Sequence, residues 1–539
     1  MPRGRGYDAV VSAGADVSSR ELVSVDPATL SEIGRVAITA PEELAEAVGE
    51  ARMAQEGFAR DPLETRRRLL ERVSHALVED ADAIARTIVS ESGKPLAEAY
   101  AHDLVVAADA CRWHASNLER VLGEERLAFP QLVFFRQKRG WLRYEPLGVV
   151  ALVTPWNFPL AIPLRQAAAA ISAGNAVVLK PSELTPLTGA WVEELFRRAG
   201  APPGLVRVVQ GDGEVGDELV RHRGIHGIVF TGSVEVGRSV ARAAADRLCP
   251  VVLELGGKDA MLVLDDADLD RAVEGALWGA FVNCGQACAG IERIAVAPGL
   301  RDAFVERLAA RARGLRIGHG LDPEVDLGPM VSEAQRTRFE ALVLNAIEHG
   351  AELATGGGRP SESPPGWFHE PTVVLGEPRD ARLRDEELFG PAVTVVSMDN
   401  DAQMVRWAND SSFGLGASIW TRDTGRARAL AARLETGSVW VNDHAYTFGA
   451  AQAPWGGRRS SGLGRTASQH GLYALSNIKL VDSDRGRLTP GWWYPYGDDA
   501  VDGLRGLLGA LYGGGAAARA RSVVGHRRGL AHLVRKVLR

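Results

Sequence analysis

The stretch Phe281-Val-Asn-Cys-Gly-Gln-Ala-Cys-Ala-Gly-Ile-Glu-Arg293 sets one thiol, Cys288, among small residues that leave room for a ligand to reach it. A thiol does covalent chemistry as the thiolate. A nucleophilic Cys288 therefore requires a helix N-terminus or nearby donors that lower its pKa, and the Asn283-x-Gly285-Gln286 turn ahead of it is a source of such amides. The competing reading is a packed structural cysteine, since free cysteine is among the most buried residue types. A second reactive side chain is Glu254, the one acid inside the apolar, strand-like start of Val251-Val-Leu-Glu-Leu-Gly-Gly-Lys-Asp259. A carboxylate there is costly to bury unless it is paired or used. Desolvation raises its pKa toward neutrality, which suits a general base that activates water; a salt-bridged structural Glu is the alternative.

Elements of alternating type must position these groups. Gly148-Val-Val-Ala-Leu-Val-Thr154 is an apolar run of strand length that ends in Pro155-Trp-Asn-Phe-Pro159, the form of a buried parallel strand delivering a loop from its carboxyl end. A helix of small residues (166–173), a strand (175–180), a helix (189–199), a strand (206–210), a helix (215–221) and a strand (227–231) follow. That alternation predicts a doubly wound, nucleotide-binding layout. Gly232-Ser-Val-Glu-Val-Gly237 opens the next helix, whose free N–H groups suit a pyrophosphate, although it lacks the Lys-Ser/Thr pair of a phosphate-cradling loop. Beyond Cys288, strands near 293–297, 392–397 and 437–442 and helices near 301–313 and 333–348 predict a second α/β domain, with a loop over 443–461 lining a substrate mouth. Upstream, apolar residues at helical spacing predict a helical layer over 41–121 with Cys111 in its core, the last helix running unbroken over 96–121, and residues 132–144 read as a hairpin.

With 539 residues, 46% of them hydrophobic, the chain is long enough for two or three domains with a large core. Its net charge of −6 carries no nucleic-acid footprint. Four cysteines (Cys111, Cys249, Cys284, Cys288) are too few for a disulfide framework, so free thiols and a reducing compartment are expected. Cys284 and Cys288 share a helical spacing, but no histidine or second cysteine pair lies near them, so no metal is expected. The start of the chain leads into no signal-peptide core, and no apolar run reaches the roughly 18 residues of a membrane span, so a cytoplasmic protein is expected.

These residues together resemble the NAD(P)-dependent aldehyde dehydrogenase superfamily over about residues 22–482. The resemblance rests on Pro155-Trp-Asn-Phe-Pro159, Lys180-Pro-Ser-Glu183, Phe230-Thr-Gly-Ser233, Glu254-Leu-Gly-Gly-Lys258, the Cys288 stretch, Glu387-Leu-Phe-Gly-Pro391 and Pro454-Trp-Gly-Gly457, all in family order. It implies that Cys288 attacks an aldehyde, that the Asn157 amide and the Cys288 backbone N–H hold the resulting oxyanion, and that Glu254 activates water to release a carboxylic acid. It also implies NAD as cofactor, with Lys180 and Glu183 on the adenosine ribose, Ser233 near the pyrophosphate, Trp156 near the nicotinamide, and Glu387 with Phe389 on the nicotinamide ribose. A carboxylate at Glu183 accepts from a ribose 2′-hydroxyl but repels a 2′-phosphate, which favours NAD, with NADP as the alternative.

The implied fold is α/β: a Rossmann-like NAD-binding domain (21–122 and 147–257), an α/β catalytic domain (258–456), and a small oligomerisation sheet (123–146 and 472–484) that makes a homodimer or homotetramer. Residues 1–20 read as a flexible N-terminus and 485–539 as an extension outside the family pattern. There Leu530, Leu533, Val534, Val537 and Leu538 sit at helical spacing beside Arg535 and Lys536, the form of a membrane-surface or partner-binding helix, or of one packed on the protein's own surface. Several residues depart from the family. Gln166 and Thr466 stand where many relatives have a proton-relaying Lys and Glu, and Trp455 stands where Phe is usual. Arg165 fits one of the two arginines with which succinate semialdehyde dehydrogenases hold a substrate carboxylate, but Val282 occupies the other place. The alternatives are thus a succinate-semialdehyde-type enzyme, a CoA-acylating semialdehyde dehydrogenase (a branch that typically lacks the Glu254 base), or an inactive binding protein on the same fold.

Overall fold

The computed structural model describes residues 21–128, 138–361, 365–484, 489–490 and 492–537. The N-terminal 1–20, the first half of the expected hairpin, and Leu538 lie outside the described residues. The chain divides into two units, 1–122 with 145–477, and 123–144 with 478–539.

The first unit is α/β and contains two large sheets. One has six strands in the order 462–463, 251–254, 227–231, 149–153, 176–180, 206–208, all parallel except the first. Every residue of Val149–Leu152 and Ala176–Lys180 is buried, as a parallel sheet covered on both faces demands. The strand order reverses between Val149–Val153 and Gly227–Thr231, so the crevice at their carboxyl ends is a topological switch point, where open α/β sheets bind ligands. The helix Ala161–Ser172 is buried along its whole length, which its run of alanines permits.

The second sheet has seven strands in the order 352–355, 372–375, 392–397, 291–296, 259–263, 416–420, 438–441, again parallel except for the first. Apolar clusters cover both of its faces, one including Phe304, Phe339 and Trp420 and the other Leu262, Ile419 and Leu430. The helix expected to run unbroken over 96–121 instead changes to a π-turn at Ala99–Leu104 before continuing as Val105–Leu122, with Cys111 in the core. A π-turn inserts an extra residue and rotates the side chains on either side of it, a change that apolar periodicity does not reveal.

In the second unit, strands Glu125–Leu127, Lys138–Pro146 and Ser476–Asp484 share a three-stranded sheet. Three helices follow, Asp498–Tyr512, Ala516–Gly525 and Arg527–Val537. The first and last meet at glycines so closely that a Cβ on Gly503 would stand 2.3 Å from the Gly529 carbonyl oxygen. Leu533 and Val537, from the stripe expected to face a membrane or partner, are buried, and the Gly503 contact brings Leu533 against the helix Asp498–Tyr512; Val534 remains exposed. Among the described residues no helix is long and apolar enough to cross a membrane.

Candidate active site

Cys288 follows a left-handed turn in which Asn283, Cys284 and Gly285 have φ of 53°, 56° and 69°. A Cβ at Gly285 would lie 2.1 Å from the Gly390 carbonyl oxygen, so the turn accepts only glycine there. Gln286 pins it: its Nε2 donates to the Asn283 carbonyl and its Oε1 accepts from the Val331 N–H. Gly257 packs against the other side of the nucleophile, where a Cβ would meet the Cys288 carbonyl oxygen at 2.1 Å. That contact brings the Glu254-to-Lys258 segment past the thiol.

The surroundings of the thiol raise its pKa rather than lower it. Burial pushes its pKa well above the ordinary range, the carboxyls of Glu254, Glu387 and Asp259 push it further, and the Ala289 N–H opposes them. The amides around the turn are engaged elsewhere: the Gln286 N–H donates to the Asn283 carbonyl, the Asn283 N–H to the Glu98 carboxyl, and the Gly290 N–H to the Ala287 carbonyl. The acids are themselves perturbed. Burial raises Glu254, Asp259 and Glu387 to about 8 each, so at neutral pH they are largely uncharged and repel a thiolate less. For Glu254, at the end of its strand, Arg165, Arg465 and the Trp455 indole N–H oppose that rise.

Asn157 is held from three sides. Lys94 Nζ and Asn283 Nδ2 donate to its carbonyl at 2.8 and 2.9 Å, and its own Nδ2 donates to the Gln286 carbonyl at 3.1 Å. Lys94 also pairs with Asp103 at 2.7 Å, both side chains fully buried. Asp103 Oδ1 accepts from the Leu160 and Ala161 N–H groups at the start of the helix Ala161–Ser172. Sequence reading missed both residues: Gly93-Lys-Pro95 reads as a helix stop, and the π-turn carrying Asp103 leaves no trace in apolar spacing.

Two cavities reach Cys288. The smaller, about 30 Å³, is lined by Glu254, Arg165, Gln166, Thr231 and Arg465, among others. Gln166 donates to Thr231 Oγ1 at 2.8 Å, while Thr466 exchanges backbone hydrogen bonds with Trp455. Arg165 donates from Nη1 to the Phe448 carbonyl and lies 4.7 Å from that ring's centre. The larger cavity, about 280 Å³, is walled by Phe158, Trp278, Phe448 and Trp455 with His102 and His444.

At the switch point the residues fit a dinucleotide. Ser233 caps the helix Val234–Ala245, its Oγ accepting from the Val236 N–H, so the opening turn is preformed for an anion. A Cβ at Gly232 would stand 2.7 Å from the Phe230 ring, so a larger residue there would have to displace that ring. Lys180 is buried and donates to the half-exposed Glu183 at 3.4 Å. The Trp156 and Phe389 rings meet edge to face at 5.4 Å. Glu387 accepts from the Gly257 N–H, and Glu292, paired with Lys258, accepts from the Leu388 and Phe389 N–H groups and so fixes that loop.

Compared with known proteins, the profile described as "Aldehyde dehydrogenase family" matches residues 15–481. The chain belongs to the aldehyde dehydrogenase family. It is 37% identical over 468 residues to betaine aldehyde dehydrogenase 2 of Rhizobium meliloti (strain 1021), covering 86% of this chain and 95% of that one. An NAD+ complex of an aldehyde dehydrogenase from Bacillus cereus superposes with a TM-score of 0.83 at 32% identity, over 87% of this chain and 94% of the other. An NADP-dependent enzyme from E. coli gives a TM-score of 0.81 at 35% identity, over 86% and 95%. This aldehyde dehydrogenase is therefore an NAD(P)-dependent enzyme that oxidises an aldehyde, and the extension beyond residue 481 lies outside the family match.

Proposed function

We propose that the chain oxidises an aldehyde to a carboxylic acid through covalent bonds to Cys288, with NAD favoured over NADP. The observation that carries this is the convergence of Cys288 and Glu254 on one cavity, beside a turn whose Gln286 carbonyl holds the Asn157 amide. Cys288 gives its thiol proton to water, its Sγ then bonds to the aldehyde carbon, and the carbonyl pair moves onto oxygen. Asn157 Nδ2 and the Cys288 N–H stabilise that oxyanion. Bound NAD(P) supplies the acceptor for the hydride that leaves the same carbon. The thioester so formed is attacked by water, Glu254 takes the water's proton, and the C–S bond breaks to return the thiolate and release the acid.

Lys180 and Glu183 hold the adenosine ribose in this reading, Ser233 and its helix the pyrophosphate, and Trp156, Glu387 and Phe389 the nicotinamide end. The test is NADH formation by the wild type, Cys288→Ala and Glu254→Gln across an aldehyde panel. Cys288→Ala must abolish turnover while NAD still binds. Glu254→Gln must release one NADH per site rapidly and then stall. Cys288-independent turnover, or steady turnover by Glu254→Gln at close to the wild-type rate, refutes the assignment.

A further inference from the structure

Given that reading of Cys288 and the oxidation it performs, we propose that the substrate is an uncharged aldehyde with an aromatic body, and that Arg165 is the residue that turns cationic aldehydes away. The larger cavity reaches Cys288 and has a volume of about 280 Å³, and among the described residues no Asp, Glu, Lys or Arg lines it. Its wall is a run of rings in contact: Phe158 lies 5.1 Å from Phe448, and Phe448 meets Trp455 edge to face at 5.3 Å. Such a slot gains from a flat ring, which offers apolar area and edge-to-face contacts together.

Aromatic walls also attract cations, unless a cation already lies against them. Two of these rings carry buried cations that do not line the cavity. Lys94 Nζ lies 4.4 Å from the centre of Phe158, and the Arg165 guanidinium 4.7 Å from that of Phe448. Lys94 is neutralised by Asp103 at 2.7 Å. Arg165 bonds to the Phe448 carbonyl and its Nη2 is buried without a hydrogen-bond partner; the Glu254 and Asp109 carboxyls favour its charge from a distance, but among the described residues none pairs with it directly. Burial lowers its pKa to about 10, which leaves it a cation at neutral pH. A quaternary ammonium in the cavity would meet that charge across one ring with little water between them, a repulsion far larger than the same pair would feel in solvent.

A carboxylate fares no better. Lys94 has no exposed side-chain surface, and Arg165 lines the smaller cavity, of about 30 Å³, rather than this one, so an acidic group seated here would lose its hydration without gaining a charged donor. The histidines do not change the balance. The His444 Nε2–H donates to the Ala289 carbonyl at 2.6 Å, which leaves Nδ1 a neutral acceptor with no partner, and burial lowers His102 and His444 to about 4 each.

The experiment measures kcat/KM of the full chain with NAD for benzaldehyde, betaine aldehyde (a permanent cation) and 4-oxobutanoate (an anion), in the wild type and in Arg165→Met. The wild type is expected to favour benzaldehyde over each charged aldehyde by at least about tenfold. Arg165→Met is expected to raise the betaine aldehyde to benzaldehyde ratio several-fold, a ratio taken within one preparation and so independent of how much of the variant folds. Equal or greater use of either charged aldehyde by the wild type overturns the substrate class while leaving the oxidation reading intact. An unchanged ratio in Arg165→Met overturns the role of Arg165. Absence of Cys288-dependent NADH with every aldehyde overturns both this inference and the reading on which it rests.

Discussion

Glu254 shows how much a single residue's surroundings decide. Its carboxyl is raised to about 8 by burial, against the opposing pull of Arg165, Arg465 and the Trp455 indole. A base works only when deprotonated, so turnover limited by thioester hydrolysis rises with pH and levels off above about 8. The check is a kcat–pH profile: Glu254→Gln removes the rising limb and slows steady turnover by about 10²–10⁴-fold, leaving a burst of NADH. Cys288 sits beside it with its own pKa raised, and the same ionisation that arms Glu254 places a charge next to the thiol. Attack by sulfur and hydrolysis of the thioester thus ask for opposite charge on Glu254, and the two half-reactions should show different pH profiles in rapid-mixing experiments. Glu183 governs a separate choice. Its half-exposed carboxylate repels a 2′-phosphate, so Glu183→Gln is expected to raise kcat/KM for NADP relative to NAD by several-fold in initial-rate assays, and an unchanged ratio refutes its role.

Between residues and fold stands the support of the Asn157 loop, built from a helix stop, a π-turn and a helix N-terminus. Lys94 and Asp103 are fully buried; breaking such a pair typically costs about 3–5 kcal/mol because one charge is left uncompensated. Lys94→Met is therefore expected to lower the midpoint of denaturant unfolding markedly, and Lys94→Met with Asp103→Leu to recover part of that loss. Both variants should slow the NADH burst, because Asn157 loses the 2.8 Å hydrogen bond on its carbonyl, whereas NAD affinity, set at the switch point, stays within about twofold. A burst rate equal to the wild type's in the folded double variant would show that the pair does not position Asn157. None of this support was legible in the sequence, although the strands were. Val149–Val153 and Ala176–Lys180 are apolar runs rich in β-branched residues, and composition alone marks them. Lys94 and Asp103, nine positions apart, meet only because the π-turn re-aims the second of them. The same limit explains Cys288: the turn before it was legible in Asn283 to Gln286, but that its amides go to the Asn283 carbonyl and the Glu98 carboxyl depends on left-handed backbone at three successive residues.

Across the whole molecule the buried titratable groups form two opposed sets, and their balance predicts how stability depends on pH. Glu254, Asp259 and Glu387 are held at about 8 and Glu98 at about 7, far above the ordinary carboxyl value, so between roughly pH 4.5 and 8 the folded chain binds protons that the unfolded chain has released. Stability contributed by these acids therefore falls as pH rises through that window. His102, His114 and His444 are lowered to about 4, 3 and 4, so below pH 6.5 the unfolded chain takes up protons that the folded chain refuses, and their contribution falls as pH drops. Above about pH 6.5 the histidines are neutral in both states and only the acids act. Thermal unfolding in the absence of cofactor is thus expected to be highest near about pH 5, where the two sets cancel, and to decline steadily from about pH 6 toward about pH 8, the direction opposite to that of turnover. Replacing one acid isosterically isolates its share: Asp259→Asn, which keeps the shape of a side chain that accepts the Gly416 N–H, should flatten the decline between about pH 6.5 and 8.5. A melting temperature that rises over that interval in the wild type would mean that these acids are ionised in the folded protein at neutral pH, and the proposed order of protonation at Glu254 would fall with it.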